Sequence, residues 1–197
     1  MESALTFCSP ALAGDDTAAA WAVLERTKTA SSTYTIHYWN RVTIPGEQAF
    51  EEGSAEFHQG DFHRIEMPRA RVIADCRART GASMSVETGE ISEGPEVAGF
   101  ACGINTNFEI LTIELLPDIE TKFGIAQQIR VTDQREIREY SVLENGILVR
   151  TTYAENRPGG QTLVVAEATL LQNTVPENIM FDKSSLAVSY LPNNIQP

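Results

Sequence analysis

The chain holds three histidines, and two of them stand where a hairpin would bring them together. Gly60-Asp61 separates two runs of alternating apolar and polar residues, and glycine first in a two-residue loop suits a type II′ turn. That turn pairs Gln59 with Phe62 and sets His58 opposite His63, close enough to share a ligand. With Glu56 or His37 as a third ligand, two imidazoles would suit a zinc ion. The plainer reading is an incidental polar pair on a solvated sheet face, because a one-residue slip would part the rings. We adopt the plainer reading and expect neither metal nor cofactor. An enzyme of unrecognised type would use the same two histidines.

Other chemistries leave little trace. There is no G-x-S-x-G elbow, and no serine or cysteine carries a legible nucleophile signature. Arg157-Pro158-Gly159-Gly160 lacks the Lys and Ser/Thr of a phosphate loop, and no dinucleotide fingerprint is present. The 27 acidic side chains guarantee chance carboxylate pairs, so such pairs identify no glycosidase. Arg64, Arg69, Arg71, Arg77 and Arg79 concentrate positive charge in an acidic protein. They would suit a carboxylate or phosphate headgroup, or ordinary pairing with Glu66 and Asp75. No catalytic residue is assigned.

The elements that must position these residues are mainly strands. Asp15-Asp16-Thr17 reads as a cap for a helix over 18–27, with Trp21 and Leu24 on one face. Thr33 to Val42 switches to period two with aromatic and β-branched residues, which predicts a strand. Further strands are predicted over 51–59, 62–67, 71–78, 84–87 and 90–91. Gly94 to Gly103 reads as a long loop. Phe108 to Leu116 is apolar and ambiguous, and Pro117-Asp118 should break it. Strands over 127–132, 136–143 and 147–153 follow, the last two joined at Asn145-Gly146, a strong hairpin signal. The final strand, 162–172, should show Val164, Ala166, Ala168 and Leu170 on one face. Pro176 to Asp182 suits a short helix. About nine strands in all have connections too short for parallel crossovers, so the sheet is antiparallel.

Composition bounds the setting. At 197 residues with 42% hydrophobic content, one folded domain is expected. A net charge of −12 argues against nucleic acid and anionic lipid surfaces. Ala11-Leu12-Ala13 fits a signal-peptidase site, so residues 1–13 read as the trailing part of an export signal. Cleavage there would remove Cys8 and leave Cys76 and Cys102, an even count. A disulfide between them, in a periplasmic or secreted protein, is the expectation, with two buried thiols as the alternative. Residues 14–191 form the expected domain, and 192–197 a loose tail.

The order of elements resembles the LolA-like family of periplasmic lipoprotein carriers. A short helix runs into a long aromatic strand, residues 18–42. A hairpin follows whose second strand, Phe62-His63-Arg64-Ile65-Glu66-Met67, ends at Pro68, and Thr174-Val175-Pro176-Glu177-Asn178-Ile179-Met180-Phe181 closes the chain. The resemblance covers residues 15–190. It implies a strongly curved antiparallel half-barrel packed against an N-terminal helix, with a hollow that binds a hydrophobic or acylated ligand and no enzymatic activity. Tyr34, Ile36, Tyr38, Phe57 and Phe62 are the expected lining, with plain core packing as their alternative role. Partners would be an acylated small molecule, a lipoprotein or other envelope proteins.

Overall fold

A computed structural model describes residues 13–29, 32–103, 109–157, 159–193 and 195. The period-two runs form one antiparallel sheet of eleven strands. They are β1 Ser32–Thr43, β2 Phe50–Gly60, β3 Phe62–Glu66, β4 Ala70–Asp75, β5 Thr80–Ser85 and β6 Ile91–Glu93. After a break come β7 Thr112–Thr121, β8 Gly124–Thr132, β9 Glu136–Leu143, β10 Leu148–Arg157 and β11 Gly160–Gln172. Two hairpin meanders are joined where β1 pairs with β11, which leaves β6 and β7 as open edges.

The sheet is strongly curved. Tyr34, Ile36 and Tyr38 of β1 share a cluster with Ala126 of β8, and Ile119 and Phe123 pack against it. β1 and β8 lie four strands apart in the sheet order, roughly 19 Å if the sheet were flat. The cluster bridges that span through Ala168 of β11, Val149 of β10 and Leu143 of β9 on one curved, unclosed sheet. Helix α1, Ala13–Thr29, lies on this inner face over β7 and β8. Its buried stripe is Ala20, Val23, Leu24 and Thr27, at helical spacing. They meet Ile113, Ile129, Val131, Tyr140 and Val142. Trp21 is off this stripe and exposed, so it does not share the core with Leu24 as expected.

The outer face of β2 to β5 is covered by the end of the chain. Two 3-10 turns, Asn178–Phe181 and Lys183–Ala187, lie across it. Met180 packs on Ala55 and Phe57, and Leu186 on Ile73 and Ala82. A buried ion pair holds the segment. Arg64 and Glu66 are both fully buried, with Nε donating to Oε1 at 2.6 Å. The same guanidinium donates to the carbonyls of Met180, Ser185 and Val188 and to the Ser185 hydroxyl. Arg71 adds a bond to the Leu186 carbonyl at 2.7 Å. These two arginines are therefore structural clamps rather than a headgroup site, and Arg77 pairs with Asp61.

Several expectations are corrected. The helix already includes Ala13, so Asp15, Asp16 and Thr17 lie within it and do not form its cap. Among the described residues the strands number eleven rather than about nine. Within 94–103 the chain forms helix α2, Pro95–Ala101, started by a proline at a first-turn position where no N–H is needed. Pro117 does not end β7; the pairing with β8 shifts register there, which an edge strand tolerates. On β11 the pairing with β1 skips Thr169, so Leu171 rather than Leu170 joins Ala168 on the inner face. Residues 1–12 of the expected export remnant lie outside the described residues, and Ile195 of the expected tail sits against Gly53.

Candidate functional site

The inner face is roofed by both helices. Opposite α1, helix α2 seats Ala98 and Ala101 on Ile65, Val72 and Ala74. Gly81 of β5 makes that seat possible, because a Cβ there would stand 2.9 Å from the Ala98 nitrogen. The roofs meet at Gly103, whose φ is 80°. A Cβ at this glycine would stand 2.9 Å from the Thr27 carbonyl. Beneath the junction is a cavity of about 70 Å³, walled by Thr27, Tyr34, Tyr38, His58, His63 and Ala101 among others.

Its floor is polar at one end. β2 and β3 pair in the expected register, with His58 opposite His63. The ring centroids are 4.1 Å apart and the rings are steeply inclined. Tyr34 stacks on His58 at 4.1 Å, nearly parallel. His58 Nε2 lies 3.0 Å from Glu56 Oε2. His63 Nδ1 lies 2.8 Å from the Ala101 carbonyl, an acceptor only, so this nitrogen carries the proton. The bond ties the β3 floor to the end of α2. Tyr38 donates its hydroxyl to the Leu148 carbonyl at 2.6 Å. Burial, and secondarily the charge of Glu56, raises the hydroxyl pKa of Tyr34 well above its usual value.

Burial lowers the His63 pKa to about 4. An unfolded chain takes up this proton near 6.5, whereas the folded chain resists it down to about 4. The stabilisation is complete above pH 6.5 and is lost as pH falls through that window, by up to about 3 kcal/mol. Denaturant midpoints taken between neutral pH and about pH 4.5 should fall accordingly. His63→Asn, which keeps an N–H for Ala101, should flatten that slope; an unchanged slope would assign it to other groups.

Cys76, just past β4, and Cys102, at the end of α2, are joined by a disulfide with Cα atoms 5.5 Å apart. The bridge fastens the second roof to the floor. Among the described residues, His63, Cys76 and Cys102 form the one group of three potential metal donors, and two of them are spent in the disulfide. His37 pairs with Ala55 on the outer face and does not approach the histidine pair.

The five expected lining residues do not share a face. Tyr34, Ile36 and Tyr38 are buried on the inner face, two of them in the cavity wall. Phe57 pairs with Thr35 and packs under Met180 on the outer face. Phe62 is on that same side, 47% exposed, beside Phe181 and a groove of about 560 Å³. Period two dictates this division once Gln59 pairs with Phe62. The sequence reading missed Ala98, Ala101 and Gly103, and Pro95 was the signal that would have revealed their helix.

No protein-family model and no curated protein matches the chain. Solved structures do resemble it. An uncharacterised conserved protein from Thermus thermophilus aligns over 83% of this chain and 92% of its own at TM-score 0.54 and 11% identity. A chain of the MucA/MucB complex of Pseudomonas aeruginosa aligns over 83% of this chain and 60% of its own, at TM-score 0.52 and 12% identity. A LolA superfamily protein from Nitrosomonas europaea aligns over 85% of this chain and 99% of its own, at TM-score 0.47 and 10% identity. At such identities the likeness concerns the fold alone. The architecture is an open, curved antiparallel sheet packed against an N-terminal helix, as the order of elements implied.

Proposed function

We propose that this protein is an exported, non-enzymatic carrier or sensor that holds a hydrophobic or acylated ligand on the inner face of its half-barrel. The observation that carries the reading is the light roof that α2 makes over an apolar floor. The buried contacts of α2 are made mainly by two alanines, and the cavity beneath is about 70 Å³. That volume is far below the roughly 300 Å³ at which ligand pockets begin, so uptake requires the roof to lift. Lifting two alanines and the half-buried Val97 costs a few kcal/mol at about 0.8 kcal/mol per buried methylene. A twelve-carbon chain returns on the order of 10 kcal/mol by the same measure. The disulfide at Cys102 keeps the lifted helix attached, and its presence supports export.

The test is titration of the purified chain with the neutral fluorescent probe N-phenyl-1-naphthylamine, followed by displacement with dodecanol. Saturable enhancement, reversed by the alcohol, is the expected result, and native mass spectra should show co-purified lipid. A folded protein that gives no enhancement and carries no lipid would end this reading.

A second reading, an envelope interaction module, has one specific observation in its favour. Exposed Phe62 and neighbouring Phe181 floor the outer groove, and a chain of similar fold was solved in the MucA/MucB complex. Covalent capture of a protein partner through the Phe62 face, with no lipid bound, would favour it.

A further inference from the structure

The carrier reading leaves open what sits at the polar end of the cavity, and His58 bears on that question. Its residue surface is 5% exposed, and its Nδ1 is buried with no hydrogen-bond partner among the described residues. A buried acceptor left unmatched is costly, and such atoms in native proteins call for a partner. Stacking against Tyr34 and the contact with Glu56 fix the ring, so rotation cannot relieve the atom. With Nε2–H directed to the Glu56 carboxylate, Nδ1 of the neutral ring keeps a lone pair and can only accept.

Three neighbouring donors in the cavity wall are already used, and the Tyr34 hydroxyl, on a ring stacked over His58, lies out of the plane of the Nδ1 lone pair. Tyr38 donates to Leu148, Thr27 to the Leu24 carbonyl, and His63 Nδ1–H to Ala101. The polar end therefore presents the His58 lone pair beside the Glu56 carboxylate, and both attract a donor. A cavity of about 70 Å³ holds about two groups the size of a water molecule, which is a headgroup and not a chain.

Resting on the carrier reading, we propose that His58 and Glu56 receive a hydrogen-bond-donating headgroup, a hydroxyl or a primary ammonium, and disfavour a carboxylate. The hydrophobic tail would then run along the inner face beneath the lifted roof. A hydroxyl donates to Nδ1 of His58. An ammonium does the same, and its charge is attracted by the Glu56 carboxylate of the same cavity wall. A carboxylate brings two further acceptors and a repelled charge.

Displacement of N-phenyl-1-naphthylamine by dodecanol, dodecylamine and dodecanoate tests this, with each held below its aggregation threshold near neutral pH. The alcohol and amine should bind at least about tenfold tighter than the carboxylate, the effect expected of one buried hydrogen bond. His58→Phe preserves a ring for Tyr34 and should shrink that preference, measured against the variant's own probe affinity, to within about threefold. Dodecanoate binding as tightly as the alcohol would overturn the proposal, as would an unchanged preference in the variant. The wild-type ranking decides the matter even if the variant does not fold. If the folded protein binds neither probe nor any dodecyl compound, the carrier reading itself falls; if all three bind alike, only the headgroup assignment does.

Discussion

Arg64→Ala is expected to destabilise the fold by about 3 kcal/mol, because it leaves the buried Glu66 carboxylate with only Arg71, 3.5 Å away, as a charged partner. Both side chains are fully buried, and the lost guanidinium also served three carbonyls and one hydroxyl of the closing segment. Chemical denaturation measures the loss, and limited proteolysis should find new cleavage within residues 176–190. Removing both charges together, as Arg64→Met with Glu66→Leu, should cost less than Arg64→Ala alone, since the one group that loses its partner is Arg71, which is less buried than Glu66 and keeps its bond to the Leu186 carbonyl. A loss under about 1 kcal/mol for Arg64→Ala would show that the segment is held by its apolar contacts, Met180 and Leu186, and not by the ion pair.

Replacing Cys76 and Cys102 together by alanine should cost about 3 kcal/mol, the loop-closure value for a separation of 26 residues. The effect should also be local. The bridge holds the end of α2 to the floor, so the Cys102 amide, bonded to the Ala98 carbonyl, should exchange its hydrogen much faster in the variant. Acyl-probe uptake should quicken, because the roof then lifts without a tether. Equal midpoints and equal exchange in α2 would show that the alanine seat and the His63–Ala101 bond suffice without the disulfide.

The strands were legible because period two and turn chemistry agree along most of the chain. Gly60-Asp61 and Asn145-Gly146 fixed their hairpins, and the first of these placed His58 against His63. What stayed hidden required knowledge of the other side of the sheet. Phe57 and Phe62 look like partners of Tyr34 and Tyr38 by residue type, yet register sends them to the outer face. Trp21 looks like an anchor by size, yet the smaller Ala20 and Val23 occupy the seat. Helix α2 was masked by Gly94, Gly99 and Gly103, which lower helix propensity; tertiary packing on Val72 and Ala74 outweighs it over seven residues. Arg64 and Glu66 read as surface charges on an alternating strand, and only the returning segment from Asn178 to Val188 buries them.

The central claim is that a hydrophobic chain lies on the inner face, beneath the two helices. Photolabelling tests it most directly, using a dodecyl alcohol with a diazirine in its tail, bound to the folded protein, irradiated and mapped by peptide mass spectrometry. Labels on β1 near Tyr34 to Tyr38 and on the undersides of α1 and α2 are the expected result. Labels confined to Phe62, Phe181 and the outer groove, competed by unlabelled alcohol, would contradict it and move the binding function to the opposite face.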